Sequence, residues 1–210
     1  MPKFNITAKD ILGKACSHLI LRSPFYSSLL LATDLEENKN IPAAATNGMK
    51  IWYNPEYIEN LSQKDNRSSY MTEVTEKAKT LLCHEVLHIA MMHMFRRGGR
   101  DPLVWNIATD AWINNTLVDE KFTALDGWVD IPGSKDKTSE EIYDELMKNA
   151  KQIKIMSKSS LLGDLKDPGD GDNSDGSGSG KESPEEAAAR EMKVSIKVPK
   201  LVSGRCPRVP

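Results

Sequence analysis

A chain of 210 residues with 39% hydrophobic and 28% charged residues is long enough for one folded domain, or for one domain followed by a tail. Its net charge of −2 provides no long-range attraction for nucleic acid or for an anionic membrane, so we expect neither as a partner. No apolar run approaches the length of a membrane span, and residues 1–10 lack the charged-then-apolar pattern of a secretion signal.

The three cysteines, Cys16, Cys83 and Cys206, are odd in number and scattered along the chain. This pattern argues against a disulfide framework and favours a reducing, cytoplasmic environment. Cys83 precedes His84, but consecutive side chains on a helix point about 100° apart. We therefore interpret Cys83 as a buried, inert thiol.

The N-terminal quarter predicts two helices. Residues 6–21 show helical periodicity, with Thr7 as the N-cap. Pro24 is typical of a helix start and predicts a second helix over 24–32. The polar residues 36–40 are predicted to form a turn.

A small β element follows these helices. Residues 46–48, Thr-Asn-Gly, are a turn signal, and residues 49–53 partly alternate apolar and polar side chains as a strand does. Asn54 and Pro55 should end the strand and begin a short helix through residue 61. Extended peptides can bind by adding to an exposed strand edge. A plain structural hairpin explains the pattern equally well.

A long helix is predicted over residues 70–97. Residues 72–95 contain neither Gly nor Pro and are rich in good helix formers, and Gly98-Gly99 is a typical terminator. Within this helix lies His84-Glu85-Val86-Leu87-His88. Two histidines four residues apart share one helix face and can bind one metal ion. Glu85 is adjacent and suits a general base, as in the H-E-x-x-H pattern of zinc peptidases.

A catalytic zinc site usually takes three protein ligands. The next helix is predicted over 102–118, with Asp101 as its N-cap. Asn106, Asp110 and Asn114 form a polar stripe on it, which is either a solvent face or the lining of something buried and polar. We favour Asp110 as the third ligand, with Asn106 or Asn114 holding its carboxylate. The alternatives considered are His93, Glu73, Glu76, Asp101 and Glu120.

The last third of the chain changes character. Trp128 is expected to seal the core or to line a cleft, and Thr138 begins a capping box that predicts a helix over 139–152. Its inward-facing residues should be Ile142, Leu146 and Met147. Gly, Asp and Ser then dominate, which is typical of a flexible linker. The predicted divisions are a domain over 1–155, a linker over 156–182, and a short helix with an irregular tail over 183–210.

Three segments resemble a family of predicted zinc metallopeptidases of bacteria and phages that carry a von Willebrand factor A-like domain after the peptidase part. The segments are ATNG…NP at residues 45–48 and 54–55, HEVLH at 84–88, and WNIATD…IN at 105–110 and 113–114. The resemblance covers residues 6–150 and implies an α+β, mostly helical, zincin-like fold. That fold comprises an active-site helix, a small mixed sheet bordering the cleft, and surrounding helices.

The resemblance implies that His84, His88 and Asp110 bind Zn²⁺ and that Glu85 is the catalytic base. The expected function is hydrolysis of peptide bonds by a metal-activated water, with a peptide or protein as substrate. Longer relatives continue into the second domain, whereas this sequence ends at Pro210, so we expect a peptidase-only form or a remnant tail. The alternative function is a non-catalytic zinc-binding domain that acts in an assembly or regulates a partner, with the C-terminal tail as the expected contact for a protein partner.

Overall fold

The computed structural model describes residues 5–149, which adopt an α+β fold that is mostly helical and has a three-stranded mixed sheet. This confirms the predicted fold class at that level. The predicted linker and tail lie outside the described residues. The elements are α1 (Ala8–Arg22), α2 (Pro24–Leu30), β1 (Asp34–Glu37), β2 (Ala44–Thr46), β3 (Lys50–Tyr53), α3 (Pro55–Glu59), α4 (Arg67–Ala90), α5 (His93–Arg96), α6 (Pro102–Asp119), a 3₁₀ turn (Ser134–Asp136) and α7 (Ser139–Lys148).

Side-chain caps set the starts of the main helices, as the sequence predicts. Thr7 and Asp10 form a reciprocal capping box at the start of α1, and Thr138 and Glu141 form another at the start of α7. The Asp101 carboxylate accepts a hydrogen bond from the Val104 N–H at the start of α6. These local interactions fix where the helices that surround the candidate site begin.

The sheet has the strand order β1-β3-β2, with β1 parallel and β2 antiparallel to β3. The predicted polar turn at 36–40 is therefore wrong at its start, because Glu36 lies on β1. Its carboxylate accepts hydrogen bonds from Lys50 Nζ at 2.8 Å and from Trp52 Nε1 at 3.2 Å. Cross-strand partners on β3 thus stabilise a strand whose composition is typical of a turn.

Strand β2 directs backbone groups away from the sheet. The Ala43 carbonyl accepts a hydrogen bond of 2.7 Å from the Asn54 N–H, so Ala43 and Ala45 face β3. In an antiparallel strand, the backbone N–H and C=O groups of every second residue point to the same neighbouring strand. The N–H and C=O of Ala44 therefore point away from β3, toward the open edge of the sheet. Strand β2 also packs against α4, which places this edge beside the histidine-bearing helix.

The predicted helix over 70–97 is wrong at its C-terminal end, because α4 ends at Ala90. Met92 adopts the left-handed conformation (φ 54°), and the chain resumes as the short helix α5. Two side chains, one on α5 and one on α6, donate hydrogen bonds to the carbonyls around this break. Arg96 Nη1 donates to the Met91 carbonyl at 3.1 Å, and the Trp105 indole donates to the His93 carbonyl at 2.9 Å. One local bond and one bond from α6 therefore stabilise the break against the helix propensity of this segment.

Two apolar clusters surround the buried face of α6. The larger one joins α1, α2 and α4 to the sheet, and the smaller one joins α6 to α7. Ile142 and Leu146 face inward as predicted, but Met147 is 50% exposed, so its predicted inward position is wrong. Within residues 5–149, no helix is both long enough and apolar enough to cross a membrane.

We expect the left-handed backbone at Met92 to discriminate against β-branched side chains, which fit that conformation poorly. Met92→Ile should have a free energy of unfolding about 1 kcal/mol lower than that of Met92→Leu, as measured by urea denaturation. Met71, a partly buried residue within α4, provides the matched pair. There the Ile and Leu variants should differ by only a few tenths of a kcal/mol. An equal difference at both positions would contradict the conformational explanation.

Candidate metal centre

The two histidines of α4 lie one turn apart and face each other, as their spacing predicts. Their ring centroids are 4.8 Å apart, and the two Nε2 atoms are separated by 3.0 Å. His84 is almost fully buried and His88 fully buried. Two buried imidazoles with converging Nε2 atoms are well placed to share one cation.

Helix α6 brings Asp110 to the same point. Its Oδ1 atom is 3.3 Å from His88 Nε2 and 3.7 Å from His84 Nε2. In the part of the chain that the structure describes, His84, His88 and Asp110 form the one cluster of three such side chains that can hold a metal ion. Residues from two helices that are separated in sequence thus converge on a single position.

The distances among these three donor atoms fit a small tetrahedral cation. Ligands bound to zinc at 2.0–2.1 Å with tetrahedral angles lie about 3.3 Å from one another. The observed separations are 3.0, 3.3 and 3.7 Å and bracket that value. Three donors also leave the fourth tetrahedral position for water or substrate, which is the arrangement of catalytic sites.

Each donor has a polar neighbour behind it. His84 Nδ1 is 2.9 Å from Asn114 Oδ1, and Asn114 Nδ2 donates to the Val129 carbonyl at 2.9 Å. Asn106 Nδ2 donates to Asp110 Oδ2 at 3.3 Å. The polar stripe of α6 is therefore buried and lines the site. Such neighbours fix the orientation and tautomer of metal-binding side chains.

His93 lies next to the donor cluster without pointing into it. The break after α4 turns its ring back, and its Nδ1 atom is 3.2 Å from His88 Nδ1, on the side of that ring opposite Nε2. Its Nε2 atom is 3.2 Å from Ser139 Oγ on α7. Burial lowers the pKa of His93 well below its usual range, and its histidine neighbours add to the effect, so the ring is neutral. Sequence reasoning missed Ser139 because no local pattern relates α7 to His93.

The other carboxylates considered as ligands have partners elsewhere. Asp101 caps α6. Glu73 contacts Ser62 and Lys77, and Glu76 pairs with Lys79. Glu120 accepts a hydrogen bond from the Tyr26 hydroxyl. Cys83 is fully buried, and burial raises the pKa of its thiol, in keeping with the inert role predicted for it.

Glu85 borders a small cavity next to the donors. The cavity measures about 10 Å³, enough for about one water molecule. Its lining residues are Ala44, Leu81, His84, Glu85, Asp110, Asn114, Leu125, Trp128 and Val129. Glu85 is 1% exposed, so its carboxylate lies in a largely water-excluded site. The edge residue Ala44 reaches this cavity, and so does Trp128, which the sequence predicts either to seal the core or to line a cleft.

Residues 7–206 match a family model described as "Putative metallopeptidase domain". The match covers the whole of the described site and nearly all of the chain. No curated protein and no solved structure gives a significant match.

We expect the purified protein to bind about one equivalent of Zn²⁺ and to become more resistant to unfolding when it does. His84→Ala and Asp110→Asn should each lose most of that affinity, as measured by competition with a chromogenic chelator. His18, the first of the four histidines in the sequence, is not part of the cluster. His18→Ala is therefore the matched control and should bind Zn²⁺ as the parent protein does. Equal loss in the control would contradict this assignment.

Proposed function

Because the chain belongs to the family described as "Putative metallopeptidase domain", we propose that it is a zinc-dependent peptidase of zincin-like fold. His84, His88 and Asp110 are the zinc ligands in this proposal, and Glu85 is the general base. The observation that carries it is the convergence of three donor atoms beside a water-sized cavity that Glu85 also borders.

The donor set supports zinc as the metal. Two imidazoles and one carboxylate suit zinc and related transition ions, whereas Mg²⁺ and Ca²⁺ prefer oxygen ligands throughout. A zinc ion held there supplies Lewis acidity, which makes water a better nucleophile near neutral pH and polarises a substrate carbonyl. The ligand histidines both present Nε2, and Asn114 favours this arrangement by accepting the hydrogen of His84 Nδ1.

Glu85 is positioned to handle the proton in this reaction. It lies between the two histidines in sequence and borders the same cavity as His84 and Asp110. In the proposed reaction the Glu85 carboxylate takes a proton from the attacking water and then passes it to the nitrogen of the leaving amine. The buried setting keeps bulk water away from this transfer.

Strand β2 is the proposed docking edge for the substrate. The N–H and C=O of Ala44 point away from β3, and Ala44 borders the cavity. A peptide laid along this edge as an additional strand would bring a peptide bond near the donors. A peptide needs more room than one water molecule, so this proposal requires part of the lining to move, and we place that movement in the lining residues Leu125, Trp128 and Val129.

The small size of the cavity favours one alternative, a zinc site without catalysis that acts in a protein assembly. Digestion of casein, or of a mixed peptide library, with and without a chelator distinguishes the two functions. Chelator-sensitive cleavage supports the peptidase, and stoichiometric metal without cleavage supports the alternative. A cytoplasmic location, a bacterial or phage origin and a partner for the tail stay predictions.

We expect Glu85→Gln to retain zinc and to lose hydrolysis by about 10²–10⁴-fold, because the amide cannot accept the proton from water. The measurement pairs metal content with the cleavage rate of a peptide that the parent protein cleaves. Glu76→Gln is the matched control, since Glu76 lies on the same helix and pairs with Lys79 at 2.6 Å. Undiminished cleavage by Glu85→Gln would show that another group is the base.

A further inference from the structure

The surroundings of His88 contain an arrangement that the proposed reaction does not use. His88 Nε2 faces Asp110 and His84, while His88 Nδ1 is 3.2 Å from His93 Nδ1. His93 Nε2 in turn is 3.2 Å from Ser139 Oγ. A continuous row of polar atoms therefore runs from the donor cluster to the first residue of α7.

The chemistry of imidazole fixes the hydrogens in this row. A ring that binds metal through Nε2 carries its hydrogen on Nδ1. His88 Nδ1–H is then a donor, and His93 Nδ1 must be its acceptor. The ring hydrogen of His93 consequently lies on Nε2, where the Ser139 hydroxyl oxygen accepts it. Each atom in the row has one consistent role, and only one tautomer of each ring satisfies it.

The His93 ring is held in place from several sides. Its backbone carbonyl accepts a hydrogen bond from the Trp105 indole, and the ring of Trp105 makes an edge contact with the His93 ring. Arg96, three residues on, donates to both carboxylate oxygens of Glu140, the neighbour of Ser139 on α7. The left-handed turn at Met92 and these contacts together keep His93 directed at His88. A non-glycine residue in the left-handed conformation raises the free energy of the folded state, which is consistent with a functional role for this turn.

We propose that His93 and Ser139 are positioning residues that fix the tautomer and orientation of His88, so that docking of α7 sets the affinity of the metal site. The inference rests on the proposed function in that it takes His88 as a metal ligand. Neither residue touches the reacting atoms. The structure therefore assigns to α7, which contributes no donor to the cluster, a role in holding the metal.

The test measures Co²⁺ affinity by chelator competition and records the visible absorption of the bound Co²⁺, without any peptide present. His93→Phe keeps a ring but removes the acceptor, and we expect it to lower the affinity about 10–100-fold and to alter the spectrum. His93→Gln offers an amide oxygen to His88 and should recover most of the affinity. Ser139→Ala should lower the Co²⁺ affinity by a smaller factor. If His93→Phe does not fold, the affinity of Ser139→Ala tests the inference in its place.

Thr80→Val is the matched control, because Thr80 is a buried hydroxyl on α4 that donates within its own helix. It should leave affinity and spectrum unchanged. Parent-like Co²⁺ affinity in folded His93→Phe would overturn the inference. If His93→Phe does not fold, parent-like affinity in Ser139→Ala would overturn it instead. Equal losses of affinity in His93→Phe and His93→Gln would also overturn it. Parent protein that binds Co²⁺ but cleaves no peptide would overturn the proposed hydrolysis and leave this inference intact. Parent protein that binds no metal would overturn both.

Discussion

The site depends on the packing of α4 against α6 inside the core. Two imidazoles and a carboxylate are buried there within 3.7 Å of one another. Buried polar groups at such density are unfavourable unless each has hydrogen-bond partners or a shared cation. The chain meets this requirement with asparagines on α6, a third histidine from α5 and a serine from α7. The surrounding helices therefore supply apolar packing and also the polar groups that lower the free-energy cost of burying the cluster.

The spacing of His84 and His88 could be predicted from sequence because it needs only the period of an α-helix. Asp110 required one further assumption, that the helix after the Gly-Gly turn folds back against the first. The polar stripe of Asn106, Asp110 and Asn114 supplied a local sign of that packing, because three polar residues at four-residue spacing interrupt an apolar helix. The capping boxes were predictable for the same reason, since every atom involved lies within four residues.

Several features that sequence reasoning missed depend on contacts between different elements of the fold. The break after α4 is stabilised by hydrogen bonds from Arg96, which lies just after it, and from Trp105 on α6. The position of His93 beside His88 follows from that break, which the uninterrupted helix predicted over 70–97 did not contain. Strand β1 forms because Lys50 and Trp52 of β3 bind its acidic side chain, and its own composition is typical of a turn.

The bond between Asn114 and the Val129 carbonyl links the wall of the cavity to the orientation of His84. In the proposed function, an outward movement of Val129 to admit a peptide would strain or break the bond that holds Asn114. The imidazole would then have its greatest rotational freedom while the entrance is open. The return of Val129 would restore the bond, so the entry of a substrate and the fixed orientation of His84 would alternate.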